Sequence, residues 1–322
     1  MAFLLRRAFV FLIGAAFAAG AFAQAYPDKP VRVIISFTPG SSTDIVGRVV
    51  MSKVSEYWGQ PVVAENRGGA GGSIGSREVA TSAPDGYTLL INSNAHTVNP
   101  AIYAKLPYDT DKDFTDIAPL ANQPNVLVVN ATSPYKSVAE FVAGAKAKPG
   151  AINIGHAGIG SGTHLSTERF IAATGVKVEE VPFKGTPEVI TALLSDSVQA
   201  YFAPISAALS AIKGGKLRAL AVTTDKRNAT LPDVPTLAEA GVKNASSGLW
   251  FGVWGPAGMP PAVVQKISTD VRKALADPGI KQKLQSLGND TMDMSPADFS
   301  KFVREEIAIY GKVIKDAGIK PQ

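Results

Sequence analysis

Short β-branched runs alternate with helical patterns along the whole chain, and this alternation restricts it to an α/β architecture with a largely parallel sheet. Strands are expected at Val31–Phe37, Tyr87–Ile91, Val126–Val129, Ile152–Ile154, Glu180–Phe183, Gln199–Phe202 and Leu217–Thr223. Helical patterns lie near 43–58, 72–82, 137–148, 163–174 and 187–196. Two later helices are better marked. Val263, Val264, Ile267, Val271, Ala274 and Leu275 share one face between a Pro260-Pro261 start and an Asp277-Pro278 stop. Ser295 is the predicted N-cap of the last helix, whose apolar stripe is Phe299, Phe302, Val303, Ile307 and Tyr310.

One segment is echoed about 120 residues later. The first copy reads strand, then Thr38-Pro39-Gly40-Ser41-Ser42-Thr43-Asp44, then helix; the second reads strand, then Gly158-Ile159-Gly160-Ser161-Gly162-Thr163-His164, then helix. Each turn feeds a helix start from the carboxyl end of a strand, which is where open α/β sheets bind ligands. A helix start carries unpaired N–H donors and about half a positive charge. Glycines at 40, 158, 160 and 162 admit a ligand close to the backbone, and Ser41, Ser42, Thr43, Ser161 and Thr163 add hydroxyls. Charge-assisted hydrogen bonds of roughly 1.5–3 kcal/mol each make such turns suited to an anion. The matched pair therefore suggests two similar lobes with an anionic ligand between them.

Other chemistries lack their patterns. Gly215-Lys216 is followed by Leu217, so no P-loop is present, and Thr163 stands where the third glycine of G-x-G-x-x-G belongs. The same threonine breaks a G-x-S-x-G elbow at Ser161, which leaves Ser161 and His164 without a hydrolase context. The chain has three histidines, and His156 and His164 lack any recognised metal-ligand spacing, so neither metal nor cofactor is expected. The glycine-rich stretch 66–75 is expected to be a structural loop leading into a helix.

The N-terminus reads as a secretory signal over residues 1–25. Arg6 and Arg7 precede an uncharged stretch, and Ala21-Phe22-Ala23 and Ala23-Gln24-Ala25 both fit a cleavage site. The 16 apolar residues before Gln24 fall short of the ~20 needed to span a bilayer, so cleavage is expected rather than anchoring. Removing the leader lowers the net charge from +5 to +3, and no run of five Lys/Arg occurs, which opposes nucleic-acid binding. With no cysteine, the chain can carry neither a disulfide nor a lipid anchor.

Six ordered motifs resemble one family. They are Phe37 to Asp44 with Arg48, Asn66 to Gly72, Pro84-Asp85-Gly86-Tyr87-Thr88-Leu89-Leu90, Gly158 to Leu165, Val181-Pro182-Phe183-Lys184-Gly185 and Leu231 to Thr236. Together they run in the order seen in the Bug family, the periplasmic solute-binding receptors of tripartite tricarboxylate transporters. The resemblance implies a two-lobed, type II Venus-flytrap fold without catalysis, each lobe a mostly parallel sheet flanked by helices. It implies lobe 1 over 26–125 plus 223–322 and lobe 2 over 126–222. A small carboxylate (a di- or tricarboxylate, an acidic amino acid or an aromatic acid) would be held between the lobes and passed to membrane permease subunits by a soluble, monomeric, unlipidated periplasmic protein.

Carried over by position, the ligand would meet Phe37, Thr38, Gly40, Ser41, Ser42 and Thr43 from one lobe. Ser161, Gly162, Thr163 and His164 would face it from the other, with Lys184 and Gly185 opening a third loop. Asp44 matches the family's acidic position but also suits a first helical turn for purely structural reasons. Trp250 is read as core or hinge packing, or as a cleft wall. Two departures stand out: Ser41 replaces the family's usual second glycine, and Phe183 replaces a common tyrosine. A periplasmic sensor module docking on a membrane receptor kinase is the alternative function.

Overall fold

The structure, a computed structural model, describes residues 26–316 and Pro321; the expected leader lies outside the described residues. Two three-stranded parallel units form its ends. In the first, β1 (Val31–Ile35) is central between β2 (Val62–Asn66) and β3 (Thr88–Ser93); in the second, β5 (Asn153–His156) is central between β6 (Glu179–Pro182) and β7 (Ala200–Pro204). Helix α1 (Ser42–Trp58) follows β1, and α2 (Ser73–Ala80) and α3 (Ala95–Ile102) flank β3. The second unit carries α4 (Val138–Ala147), α5 (Gly162–Thr174), α6 (Thr186–Leu194) and α7 (Ile205–Lys213).

One strand joins the halves. The 17-residue β4 (Phe114–Asn130) pairs antiparallel with β9 (Gly248–Pro256) along its first part, then with β7 and with β8 (Leu217–Val222) along its second. The change of partner is abrupt: Pro124 is the last residue paired with β9, and Asn125 the first paired with β7. A proline lacks the N–H that a continuing ladder needs, so it suits the point where a strand changes sheets. The chain returns between Ser247 and Gly248, where Ser247 N donates to Thr223 O and β9 begins. The remaining helices, α8 (Pro261–Ala276), α9 (Pro278–Ser286) and α10 (Pro296–Asp316), pack on the first half, with the two-residue β10 (Asp290–Thr291) at the side of β4.

Each half has its own buried core. Val33, Ile35, Val50, Leu89, Phe251 and Ile267 belong to one, and Leu127, Phe141, Ile154, Phe170 and Phe202 to another. Leu237, Val242 and Ala245, on the segment between β8 and β9, pack into the second.

All seven expected strands and all seven helical patterns are present, with edges shifted by a few residues and Val126–Val129 only the end of the longer β4. Several of the elements missing from the sequence reading have local causes. β4 contains Pro119 and Pro124, and its register shifts between Pro119 and Ala121. In β9, Gly252 faces Phe299 and Trp254, where an added Cβ would sit 2.6 Å and 2.7 Å from ring carbons. α3 contains Pro100, and the stop at Asp277 is also a start, because its Oδ1 accepts from Gly279 N and Ile280 N to cap α9.

His96, on α3, is completely buried against Phe114 and Trp254, and neither ring nitrogen has a partner. Burial pushes its pKa down to about 3. The unfolded chain takes this proton near 6.5 and the native state does not, so stability is intact above about pH 6.5 and falls with acidification until about pH 3. The expected slope is about 1.4 kcal/mol per pH unit for this one site. Urea unfolding at pH 7 and pH 5 should show it, and His96→Leu should lose that share of the slope.

Candidate functional site

The two glycine-rich turns have the same backbone. Gly40 and Gly160 take φ of +79° and +78°, and the N-caps Ser41 and Ser161 take φ, ψ of −67°, 161° and −69°, 157°. Ser41 N donates to Thr38 O and Ser161 N to Gly158 O, both at 3.1 Å. Ser41 Oγ accepts from Asp44 N and Ser161 Oγ from His164 N. The third helical residue then reaches back in both: Gly40 N donates to Asp44 Oδ2 at 2.9 Å, and Gly160 N donates to His164 Nδ1 at 3.3 Å. These are variants of the capping box that reach one residue further back, to the glycine before the N-cap, with a carboxylate in one and an imidazole in the other.

This geometry accounts for Ser41. The position needing a glycine is Gly40, with its positive φ, whereas Ser41 is extended and uses its hydroxyl as the cap. Once Asp44, Ile45, His164 and Leu165 have their acceptors, the helix-start donors left over are the N–H groups of Ser42, Thr43, Gly162 and Thr163.

The two helix starts meet across a cavity of about 20 Å³. Of the residues expected at the site, Phe37, Ser41, Ser42, Thr43, Ser161, Gly162 and Thr163 line it. Ser93, Ala157, Thr186, Pro204 and Leu249 join them, and none of these lining residues is charged. The sequence reading did not include those five; Leu249 and Ser93 stand at strand ends beside the crossover, and only the sheet order brings them to the cleft. Ser42 Oγ lies 2.7 Å from Ser206 Oγ of the opposite half, and Ser206 N donates to Gln123 Oε1. Thr163 Oγ1 accepts from Ala157 N and so braces its own turn. By contrast, Thr43 lines the cavity with its hydroxyl engaged by no partner among the described residues.

Other expected site residues fall outside the cavity. Thr38, Gly40 and Gly185 form its mouth: Thr38 Oγ1 donates to Glu188 Oε2 across the gap, and Gly40 faces Pro187. Lys184 is exposed beside them. Asp44 is buried and its carboxylate is fully used, accepting from Gly40 N, Arg48 Nε and Asn66 Nδ2, which gives it the structural role. His164 turns its Nε2 towards Glu168 and Glu180, and the Ser161 hydroxyl bonds Thr163 rather than the imidazole, so no nucleophile and base are paired here. Trp250 packs with Phe299 and Phe302 and donates from Nε1 to Glu306, placing it in the core. In the glycine-rich stretch, Gly71 abuts Ile159 of the second turn, where an added Cβ would lie 2.2 Å from the Ile159 carbonyl.

Such a cavity has room for about one water, so any larger solute enters only when the halves part. A polar cleft without charge or catalytic pairing, closed by two α/β lobes that share a crossing strand, is that of a periplasmic solute-binding protein. The comparisons agree. A family model described as "Tripartite tricarboxylate transporter family receptor" matches residues 46–319. The chain belongs to this family, TctC, whose members are solute-binding proteins and not enzymes.

It is 33% identical to Protein BugT of Bordetella pertussis over 313 residues, 97% of this chain and 96% of that one. Among solved structures, an R. palustris protein with adipate is 35% identical with a TM-score of 0.89, covering 92% of this chain and 100% of its own. MatC from Rhodopseudomonas palustris with bound malate is 32% identical with a TM-score of 0.86, covering 90% of this chain and 100% of its own.

Closure at the mouth can be tested at Gly185, whose extended φ of −175° suits any residue. An added Cβ would sit 2.0 Å from Thr38 Oγ1 on the opposite lobe. Gly185→Ala should weaken ligand binding by about 1–3 kcal/mol through this overpacking while the circular dichroism spectrum stays native. Calorimetric titration checks it, and an unchanged affinity would mean that the mouth does not close onto Thr38.

Proposed function

We propose that this protein captures a small carboxylate between its lobes in the periplasm and delivers it to the permease subunits of a tripartite transporter. The observation that carries this reading is the pair of matched helix starts, facing each other with free N–H donors across a cavity lined by no charged residue. A carboxylate satisfies such donors and gains from both helix dipoles, whereas an amine would meet only positive ends. The adipate and malate held by the two R. palustris relatives support a dicarboxylate, one carboxylate of which would sit between Ser42, Thr43, Gly162 and Thr163.

In this reading the lobes turn about two points, Pro124–Asn125 and Ser247–Gly248. The packing of Leu237, Val242 and Ala245 against Leu127 and Phe141 supports extending the second lobe from 222 to Ser247, which leaves 26–124 and 248–322 as the first. Contacts made to both lobes at once favour the closed form, and the permease would read that form. The leader over 1–25 would be removed on export. Without cysteine the mature protein would carry no lipid and would diffuse as a soluble monomer.

Calorimetric titration of the unfolded, ligand-stripped and refolded mature protein with adipate, malate, citrate, glutamate and benzoate tests the proposal. At least one dicarboxylate should bind near micromolar, about −8 kcal/mol; absence of heat and of any shift in melting temperature across the panel would contradict it. Thr43→Ala should weaken that binding by about 1–3 kcal/mol. Thr163→Ala should in addition lower the melting temperature, because its hydroxyl holds the Ala157 N–H.

A further inference from the structure

Behind the second turn lies a cluster that the cleft does not use. His156 ends β5, His164 and Glu168 stand one turn apart on α5, and Glu180 comes from the neighbouring β6. The two imidazole rings are 4.7 Å apart. His164 Nε2 lies 3.5 Å from Glu168 Oε1 and 4.0 Å from Glu180 Oε1. One donor atom from each of His156, His164 and Glu180 falls within 4.8 Å of the others, the one grouping of this kind among the described residues.

Two atoms of the cluster are left without a partner. His156 is 1% exposed, yet its Nδ1 has no hydrogen-bond partner, and Glu180 Oε1 is buried without one. Buried polar atoms left unpaired cost about 1–3 kcal/mol each, so a structure that keeps two of them side by side invites a ligand. A divalent cation would accept the unused lone pairs and neutralise the carboxylates together.

We propose that His156, His164 and Glu180, with Glu168 as a fourth donor, bind a Zn²⁺-class transition metal. Two imidazoles and two carboxylates are a donor set that zinc accepts. Tetrahedral zinc with bonds of about 2.0–2.2 Å places its donors roughly 3.3–3.5 Å apart. The donors of His156, His164 and Glu180, now within 4.8 Å of one another, must therefore close by up to about 1.5 Å, chiefly by rotation of the partly exposed Glu180 side chain, and Glu168, 3.5 Å from His164 Nε2, turns in as the fourth donor.

Proton balance links the site to the ligand turn. Gly160 N–H now donates to His164 Nδ1, so the ring proton is on Nε2. Coordination through Nε2 moves that proton to Nδ1 and ends the Gly160 hydrogen bond. Any proton shared by the carboxylates leaves to solvent. Zinc would thus tie β5, α5 and β6 together while loosening the glycine at the cleft.

The test is titration of untagged, EDTA-treated mature protein with ZnCl₂, and with CoCl₂ as a spectroscopic probe. One metal per chain, a raised melting temperature and the visible absorption of tetrahedral Co²⁺ are expected. Glu180→Gln and His156→Asn should each weaken uptake at least tenfold. Glu180→Gln, on the partly exposed strand, keeps the test decisive if His156→Asn fails to fold. No saturable binding at tenfold molar excess, or binding that Glu180→Gln leaves unchanged, would overturn the proposal. Neither result bears on which carboxylate the cleft accepts.

Discussion

Everything in this protein is arranged around two helix starts brought face to face. None of the residues lining the cavity is charged, so an anion bound there would depend on backbone N–H groups and the positive ends of α1 and α5. Such donors are fixed by the helices themselves and lose no side-chain entropy on binding. Half of them come from Ser42 and Thr43 and half from Gly162 and Thr163, so in the proposed mode a ligand that used all four would couple its binding to lobe closure.

The sheet makes this possible by repeating itself. β1 and β5 hold equivalent central positions in two parallel units, and each delivers its turn at its carboxyl end. β4 links the units through a change of partner at Pro124, which would serve as a hinge in the proposed closure. The caps of the two turns would stay intact during that motion. Their third residues differ, however, and that difference separates their second roles. Asp44 is held by Arg48 and Asn66 and ends there, whereas His164 extends the second turn to Glu168 and Glu180.

Much of this was legible in the chain itself because the turns are local. Glycine, hydroxyl and helix start lie within seven residues, and the two copies keep the same order, so the matched pair could be read directly. Individual roles were less accessible. Asp44, His164 and Lys184 lie close in sequence to lining residues, but whether a side chain faces the cleft depends on partners far along the chain, such as Asn66 for Asp44 and Glu180 for His164. Leu249 and Ser93 reach the cleft only because β9 pairs with β3 and β4. The full length of β4, and β9 as a whole, were hidden by their own prolines and glycines, which argue against a strand when read locally. Likewise, the spacing of His156 and His164 gave no metal motif, because the third donor comes from the adjacent strand.

The central claim is that two opposed helix starts hold the ligand. A crystal structure of the protein grown with adipate measures this most directly. The account predicts one carboxylate within about 3.2 Å of N–H groups from both the Ser42–Thr43 and the Gly162–Thr163 turns, directly or through one water each. Adipate seated instead against Lys184, with both helix starts facing solvent, would contradict it.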